Sequence, residues 1–323
     1  MEMERVPKAG YKIIGLPIMG IQRRLTLKNL KVPFMIIKSL WRARKVIQEF
    51  QPNAVIGVGG YASGPLLRMA SWMGYPTMIQ EQNSYPGVTN KILAKKAKKI
   101  FVAYEGMERF FPEDKLILSG NPIRKQAVHI EGKRAEAASY FSLDQGRLTL
   151  FFVGGSLGAQ AINQAVEQLV PFIEKKNVQV LWQTGANAFE ALDARMGKSL
   201  PSQLKMLRFI DRMDLAYALS DIIISRAGAM SISELCVIGK PVIFIPSPYV
   251  SEDHQTKNAL SLTSKNAAIL LKETEVSEKI EGTLEKLISD EALRLKLGKA
   301  IKALARPKAD DEIAEEIMKS IHQ

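Results

Sequence analysis

Cysteine, histidine and long apolar runs are scarce in this sequence of 323 residues, and each shortage excludes a class of protein. The single cysteine, Cys236, excludes a disulfide within the chain and a cysteine-rich metal site. The three histidines, His129, His254 and His322, have a spacing that fits no metal-binding motif. No uncharged apolar run approaches the roughly 18 residues of a membrane-spanning helix, so we expect no such helix.

The composition is that of a folded globular protein with a strong positive charge. A length of 323 residues and an apolar fraction of 46% favour two domains with cores of ordinary size. The segment Met1–Lys8 is charged where a signal peptide would be apolar, so we expect the protein to stay in the cytoplasm. A net charge of +12 points to an anionic partner, which composition leaves open between nucleic acid, an anionic membrane and phosphate-bearing ligands.

Short apolar runs alternate with helical patterns in both halves of the chain. This alternation predicts an α/β protein built from βαβ units with parallel sheets, arranged as two doubly wound domains. In the first half the predicted strands are Ala54–Val58, Thr77–Gln80 and Ile100–Ala103, and the helices are Pro65–Trp72 and Lys91–Ala97. In the second half the strands are Leu148–Val153, Val178–Gln183, Asp221–Ser225, Val242–Ile245 and Ala268–Leu271, and the helices are Ala159–Phe172 and Ala188–Met196.

The domain boundary is predicted from a turn and a charged segment within Pro122–Ser142. We place the first domain at residues 1–128 and the second at residues 129–305. A final helix, residues 306–323, carries Ile313, Ile317 and Ile321 at helical spacing and is expected to pack back on the first domain. The first strand-like run, Ile13–Pro17, is followed by no glycine-rich turn, so the first domain is expected to begin partway through its fold.

Two glycine-rich segments follow predicted strands and precede predicted helices. The sequence FFVGGSLGAQAIN occupies Phe151–Asn163, and GVGGYASGP occupies Gly57–Pro65. Glycines let the backbone approach a ligand closely, and the free N–H groups at a helix start attract phosphate. One such segment alone is equally well explained as a tight turn without a ligand. Two of them at the carboxyl ends of strands favour ligand binding.

Polar residues cluster at four further places that follow strands or turns. Glu234 ends the sequence SRAGAMSISE and suits ribose hydroxyls, although a capping or solvated role is the common one. The other three are the Glu81-Gln82-Asn83 run with Asn90, Arg124 after Asn121-Pro122, and Gln255 in SEDHQTKN. Amides suit sugar hydroxyls and an arginine suits a pyrophosphate, but loop-stabilising hydrogen bonds and an ordinary surface arginine account for each residue alone.

Taken in order, seven segments resemble the MurG family over nearly the whole chain. They read GVGGYASGP, QEQNSYPGVTN, GNPIR, FVGGSLGA, FIDRM, SRAGAMSISE and DHQTKNA. The resemblance implies the GT-B architecture, with two Rossmann-like domains facing a cleft and an incomplete first domain. It also implies inverting transfer of N-acetylglucosamine (GlcNAc) from UDP-GlcNAc to undecaprenyl-pyrophosphoryl-MurNAc-pentapeptide in peptidoglycan synthesis, with no cofactor or metal required.

The resemblance also implies roles for individual residues. Ser156 and Arg124 face the donor pyrophosphate, Ile210 contacts uracil through its backbone, and Glu234 binds the ribose. The remaining nucleoside contacts are Ala229, Met230, Ser231, Ile232 and Ser233, the donor-sugar contacts are Gln255 and Asn83, and the acceptor side is lined by Gly59, Gly60 and Ser63. The family's proposed general base is a histidine in a GGTGGH-type loop that this sequence lacks, so no catalytic base is assigned and this chain is expected to depend on that loop for activity.

A basic helix in the first half is predicted to bind a membrane surface. Leu30, Phe34, Ile37 and Trp41 recur at helical spacing among lysines and arginines, and Trp72 is expected to join them. An ordinary core-facing helix explains the pattern equally well, and the lipid-linked acceptor implied by the family decides between them. We therefore expect a peripheral protein at the cytoplasmic face of the bacterial inner membrane.

Two other functions remain open on the sequence. A different GT-B enzyme acting on UDP-GlcNAc, such as an epimerase, would share the donor half. A non-catalytic or inactive UDP-sugar binder would keep the donor site without turnover. Nucleic acid is not an expected partner, because the positive residues are spread out and no nucleic-acid-binding motif is present.

Overall fold

The computed structural model describes residues 2–18 and 32–321, and these form a mainly parallel α/β protein. Its helices are α1 (Glu2–Lys8), α2 (Val32–Phe50), α3 (Gly60–Trp72), α4 (Val88–Ala94), α5 (Lys125–Val128), α6 (Arg134–Phe141), α7 (Gln160–Lys175), α8 (Phe189–Met196), α9 (Met213–Leu219), α10 (Ala229–Ile238), α11 (His254–Thr263), α12 (Val276–Ser289), α13 (Glu291–Lys302) and α14 (Ala309–Ile321). Its strands are β1 (Val55–Gly57), β2 (Thr77–Glu81), β3 (Lys99–Val102), β4 (Leu116–Leu118), β5 (Leu148–Val153), β6 (Val178–Gln183), β7 (Leu204–Leu207), β8 (Ile222–Ser225), β9 (Val242–Phe244) and β10 (Ile269–Leu270). Short 3₁₀ helices lie at Met107–Arg109, Glu113–Lys115, Gly197–Ser199, Ser251–Asp253 and Glu273–Glu275.

The chain divides into two compact units. The first consists of residues 1–82, 86–119 and 311–323, and the second of residues 83–85 and 120–310. The sequence placed the division after residue 128, whereas the structure places it at Gly120, because α5 packs against α9 and α10 of the second unit. Residues of α14 from Asp311 onwards belong to the first unit, where Lys98 Nζ donates a hydrogen bond of 2.8 Å to the carbonyl oxygen of Ser320.

The first unit is built on a four-stranded parallel sheet with the order β1-β2-β3-β4. Apolar residues of the sheet and its helices form the core, among them Leu67, Ile79, Ile100 and Val102. The strand-like run Ile13–Pro17 does not form a strand, since residues 11–18 pair with no described strand and have irregular structure. This segment is held instead by Ser39 of α2, whose hydroxyl donates to the carbonyl oxygen of Pro17 at 2.8 Å.

The second unit is built on a six-stranded parallel sheet with the order β10-β9-β8-β5-β6-β7. The chain therefore runs outward from β5 in one direction through β6 and β7, and then in the other direction through β8, β9 and β10. Nearly every residue of β5 and β6 is buried, including the polar Thr149, Gln179 and Gln183, because helices cover both faces of the sheet. This is the doubly wound order, which leaves a crevice between the turns that follow β5 and β8.

Candidate functional site

The strand order of the second unit determines where a ligand would bind. Strands β5 and β8 are hydrogen-bonded neighbours, with Val153 opposite Ser225 at their carboxyl ends. The chain leaves these two strands toward opposite edges of the sheet, so the turns after them flank the switch point of the fold. The glycine-rich turn follows β5, and the segment leading to Glu234 follows β8.

The turn after β5 is shaped by three glycines. A Cβ atom at Gly154 would lie 2.5 Å from the backbone nitrogen of Ala159, so this residue allows the strand to approach the start of α7. Gly155 has a φ of +87° and open space where a side chain would be, so its backbone is accessible to a ligand. Helix α7 begins at Gln160 and is 16 residues long, and its N-terminus favours an anion.

The segment after β6 packs against this turn through its backbone. A Cβ atom at Gly158 would lie 2.1 Å from the carbonyl oxygen of Thr184, and one at Gly185 would lie 2.0 Å from the nitrogen of Gly158. The N–H of Ala186 donates to the carbonyl oxygen of Ser156 at 3.0 Å. The predicted pyrophosphate residue Ser156 therefore lies in a turn that the segment after β6 contacts through main-chain atoms.

Glu234 on α10 is a buried carboxylate, and its two oxygens accept hydrogen bonds from two different residues. Arg124 donates to its Oε1 atom from Nε at 3.2 Å and from Nη2 at 3.1 Å, and Tyr217 donates to its Oε2 atom at 3.2 Å. Burial, together with the charge of Glu234, raises the pKa of the Tyr217 phenol well above its usual range, so this hydroxyl remains a donor. The structure thus brings together Arg124 and Glu234, which the sequence assigned to pyrophosphate and ribose.

The other predicted residues of α10 do not all face outward. The side chain of Ile232 is buried in the core, so it can reach a ligand only through its backbone. The hydroxyl of Ser233 donates to the carbonyl oxygen of Ala229 and accepts from Asn121 Nδ2, both at 3.0 Å. Met230 is exposed, whereas Ala229 and Ser231 are half-buried.

The predicted sugar-binding residues of the second unit are held by neighbouring loops. Asn83 Oδ1 accepts from Nδ2 of the fully buried Asn258 at 3.1 Å, and Asn258 Oδ1 accepts from the backbone N–H of Ser84 at 2.9 Å. Gln255 Oε1 accepts from the N–H of Ser247 at 2.8 Å. Hydrogen bonds within the second unit therefore position the side chains of Asn83 and Gln255.

Ile210, the predicted uracil contact, follows β7 and is buried. Its N–H donates to Gln183 Oε1 at 2.9 Å, and Gln183 Nε2 donates to the carbonyl oxygen of Gly155 at 3.0 Å. One side chain therefore contacts both the glycine-rich turn and the backbone at Ile210.

The predicted acceptor residues lie together at the start of α3 in the first unit. Gly59 and Gly60 have φ values of +88° and +76°, and the hydroxyl of Ser63 donates to the carbonyl oxygen of Gly59 at 2.5 Å. Gln82 Nε2 donates to the carbonyl oxygen of Val58 at 2.8 Å. Side chains, not backbone packing, hold this turn.

Two other residues singled out in the sequence, Glu81 and Asn90, form a buried pair in the first unit. Glu81 Oε2 accepts from Asn90 Nδ2 at 2.8 Å and from the N–H of Gly87 at 3.2 Å. These contacts fix the loop between β2 and α4, which is the structural role that the sequence left open for them.

Helix α2 has opposite faces of different character. Val32, Ser39, Ala43 and Ile47 are buried on the side that packs near α3, while Phe34, Ile37 and Trp41 are exposed about half a turn away. Exposed lysines and arginines flank these apolar side chains, namely Lys38, Arg42, Arg44 and Lys45. At the end of α3 the exposed Trp72 ring carries the Arg68 guanidinium 5.0 Å from its centroid. The predicted Leu30 lies outside the described residues.

No helix in the two described segments has both the length and the apolarity needed to cross a membrane. In the same segments, no group of three or more histidine, cysteine or acidic residues is arranged to hold a metal ion.

Sequence comparisons identify the family. The profile of the "Glycosyltransferase family 28 N-terminal domain" matches residues 1–102, and that of the "Glycosyltransferase family 28 C-terminal domain" matches residues 149–313. The chain belongs to glycosyltransferase family 28. The family 28 domains and the two parallel sheets confirm the predicted enzyme class, a glycosyltransferase, and agree with the predicted GT-B fold.

Two curated relatives within family 28 carry the same full name. A protein of Flavobacterium psychrophilum is 51% identical over 321 residues, covering 99% of this chain and 87% of the relative. A protein of Parabacteroides distasonis is 48% identical, with coverage of 99% and 87%. Both are named "UDP-N-acetylglucosamine--N-acetylmuramyl-(pentapeptide) pyrophosphoryl-undecaprenol N-acetylglucosamine transferase". The predicted resemblance to the MurG family is confirmed.

Solved structures agree with the family 28 assignment. The crystal structure of Acinetobacter baumannii MurG superposes with a TM-score of 0.76 at 28% identity, covering 99% of this chain and 88% of that one. The UDP-GlcNAc 2-epimerase from Neisseria meningitidis, solved with UDP-GlcNAc, has a TM-score of 0.67 at 14% identity, covering 92% of this chain and 83% of that one. The second likeness shows a shared fold only.

Sequence reasoning missed three residues that organise the site, namely Gln183, Tyr217 and Asn258. Gln183 carried a usable signal, since it is a polar residue at the carboxyl end of a mainly apolar strand and is followed by Thr184-Gly185. Tyr217 lies within an apolar helix and gave no sign of its contact with Glu234.

Proposed function

We propose that this chain transfers GlcNAc from UDP-GlcNAc to an undecaprenyl-pyrophosphoryl-MurNAc-pentapeptide acceptor, with inversion at the anomeric carbon. The observation that carries the proposal is the switch point of the second unit, where the glycine-rich turn after β5 and the buried Glu234 after β8 flank one crevice. A phosphate-binding turn beside a carboxylate suits a nucleoside diphosphate. The names of the relatives at 51% and 48% identity supply the sugar and the acceptor.

The donor would be bound by elements that leave neighbouring strands. Its pyrophosphate lies at Ser156 and the start of α7, its ribose at Glu234, and its uracil at the backbone of Ile210. Gln255 and Asn83 provide amide groups for the hydroxyls of the GlcNAc ring. In this arrangement each part of the donor meets a group of matching chemistry.

Arg124 changes partner in the mechanism that we propose. Its side chain is 70% exposed, whereas the side chain of its partner Glu234 is only 8% exposed. A ribose hydroxyl that donates to Oε1 of Glu234 competes with the arginine for that atom, while Tyr217 keeps hold of Oε2. Arg124 is thereby released toward the pyrophosphate, which carries more negative charge.

Positive charge of the protein beside the departing UDP then favours the reaction. The acceptor hydroxyl attacks the anomeric carbon from the face opposite UDP and gives up its proton to water, the new glycosidic bond forms, and the bond to the β-phosphate oxygen breaks with its electrons leaving on UDP. The N-terminus of α7 and Arg124 stabilise that charge, and preorganised groups of this kind contribute strongly to catalysis.

The test is a transfer assay with radiolabelled UDP-GlcNAc and a detergent-solubilised lipid acceptor. We expect labelled product to form on the acceptor, and Glu234→Gln to lower kcat/KM at least about tenfold because ribose contacts are lost. The exposed Glu131→Gln is the matched control and should behave as the unmodified chain. Release of UDP without labelled acceptor, or conversion of the donor to its 2-epimer, would contradict the proposal.

We also propose that the first unit binds an anionic membrane surface, which brings the enzyme to its lipid-linked acceptor. The support comes from Phe34 and Trp41, each 71% exposed on a helix whose opposite side is buried, and from the cations beside them. Apolar side chains with flanking lysines and arginines are the pattern of interfacial helices, and each cation adds roughly 1 kcal/mol near an anionic leaflet. The enzyme is then a peripheral protein of the membrane face on which the donor is available.

Vesicle sedimentation tests the membrane surface. We expect Phe34→Asp with Trp41→Asp to reduce binding to vesicles containing phosphatidylglycerol. The control pair Tyr140→Asp with Leu295→Asp adds the same charge at two exposed apolar residues of the second unit and should leave binding close to that of the unmodified chain. Equal losses from both pairs would show an effect of net charge alone and refute the assigned surface.

A further inference from the structure

The buried side chain of Gln183 connects two parts of the donor site that the sequence treats separately. Gln183 is the last residue of β6 and is only 3% exposed. It pairs with Val153 of β5 on one side and with Leu207 of β7 on the other. The turns that follow these flanking strands carry Ser156 and Ile210.

Both ends of the Gln183 amide are used, and each reaches a different turn. Its Nε2 atom donates to the carbonyl oxygen of Gly155 at 3.0 Å, and its Oε1 atom accepts from the N–H of Ile210 at 2.9 Å. A primary amide donates through its nitrogen and accepts through its oxygen, so it can bond to two turns at once, whereas an apolar side chain of the same length could hold neither turn.

The residues directly after Gln183 reinforce the same connection. On one side, Ala186 donates to the carbonyl oxygen of Ser156 at 3.0 Å, and the backbone of Gly185 is in close contact with Gly158. On the other side, the N–H groups of Thr184 and Gly185 donate to the carbonyl oxygens of Leu207 at 2.9 Å and Arg208 at 3.1 Å.

We infer that Gln183 is a positioning residue that sets the spacing between the pyrophosphate-binding turn and the uracil-binding backbone. This inference rests on the proposed function, because it assigns those two turns to the two ends of UDP. A ligand that spans both turns gains affinity when their separation is fixed before binding. A ligand that engages only one turn gains little from it.

The same strand supplies a matched control. Gln179 is 1% exposed and lies at the other end of β6, with its side chain on the same face of the sheet. Its Nε2 atom donates to Thr149 Oγ1 at 2.8 Å and to the carbonyl oxygen of Asp144 at 2.6 Å, and its Oε1 atom accepts from the N–H of Asp144 at 2.9 Å. It is a similarly buried glutamine, with more hydrogen bonds than Gln183, at the sheet end remote from the two turns.

The experiment compares Gln183→Met and Gln179→Met by calorimetric titration with UDP and with uridine, and by urea unfolding. We expect Gln183→Met to weaken UDP about tenfold and uridine by less than about twofold, because only UDP reaches both turns. Gln179→Met should lower stability by a similar amount and leave both affinities within about twofold of those of the unmodified chain. In the transfer assay, Gln183→Met should raise KM for UDP-GlcNAc and Gln179→Met should not.

The outcomes separate this inference from the proposed function. If the unmodified chain binds UDP and Gln183→Met binds it equally well, or if both variants lose UDP and uridine to the same extent, the positioning role is refuted and the proposed function stands. If the unmodified chain binds neither UDP nor UDP-GlcNAc, both fall. Should Gln183→Met fail to fold, Gln183→Asn keeps a buried amide that is too short to reach both turns, and the same loss of UDP affinity is expected.

Discussion

The two glycine-rich turns of this chain have similar sequences but are held in different ways. In the second unit, Gly158 and Gly185 bring two backbones into contact, and a Cβ atom at either would overlap main-chain atoms at about 2 Å. In the first unit, Gly60 has no atom within 4 Å of the place where its Cβ would be, and its turn is held by the side chains of Ser63 and Gln82. Glycine allows close backbone approach together with a left-handed φ in the second unit, and a left-handed φ alone at Gly60 in the first.

The buried carboxylates of the two units also differ in the residues that hold them. Glu81 in the first unit accepts from Asn90 and from a backbone N–H, both neutral donors within its own loop. Glu234 in the second unit accepts from an exposed arginine and a buried tyrosine. An exposed partner that can be exchanged is compatible with the ribose-binding role that we propose for Glu234.

The largest expected effect distinguishes a glycine that is needed for close backbone approach from one that is needed only for a left-handed φ. Gly158→Ala should lower the free energy of unfolding by at least about 3 kcal/mol, because the new methyl group overlaps the Thr184 carbonyl and the φ of +88° is strained. Gly60→Ala, its counterpart in the first unit, should cost only about 1–2 kcal/mol, the penalty of a left-handed φ alone. Urea unfolding measures both, and equal losses would remove the distinction.

A smaller effect distinguishes the two serines. Ser156→Ala should weaken UDP about tenfold with little change in stability, because its hydroxyl is assigned to the pyrophosphate. Ser63→Ala should instead lower the free energy of unfolding by about 1 kcal/mol and leave UDP affinity unchanged, because its hydroxyl holds the carbonyl of Gly59. Calorimetric titration with UDP alongside urea unfolding checks the pair, and a reversal of the two patterns would contradict the assignment of the turns.

The smallest effect concerns the orientation of Glu234. Tyr217→Phe keeps the ring that packs edge-on against Phe151 and removes only the donor to Oε2. We expect UDP affinity to fall about threefold, as for the loss of one oriented hydrogen bond. Tyr75→Phe in the first unit is the control and should bind UDP normally, so an equal decrease in both variants would argue against the role of Tyr217.

The sequence predicted best those strands whose apolar pattern and following turn lie within a few neighbouring residues. Strands β5 and β6 were predicted with their correct bounds, because both are mainly apolar and a glycine follows each within two residues. Strands β4 and β7 were missed, since they are short and mostly half-buried at sheet edges, which weakens the apolar pattern. The run at Ile13–Pro17 has strand-like composition but no neighbouring strand to pair with among the described residues.

The site shows the same limit. Ser156 and Glu234 could be proposed because each lies in a recognisable strand–turn–helix segment. The ion pair of Arg124 with Glu234 joins residues 110 positions apart, and the contacts of Gln183 depend on the order of β5, β6 and β7 in the sheet. Such pairings are created by topology, so a pattern in the linear sequence does not reveal them.

The burial of Cys236 makes this chain well suited to spectroscopic labelling. It is the only cysteine of the sequence, and burial raises the pKa of its thiol to about 12, so it contributes almost no thiolate at neutral pH. A thiol-reactive fluorophore would therefore not label the unmodified protein. A single cysteine introduced at Trp41 or at Arg124 would be labelled selectively. Vesicle binding or nucleotide binding could then be followed as a change in the fluorescence of that one label.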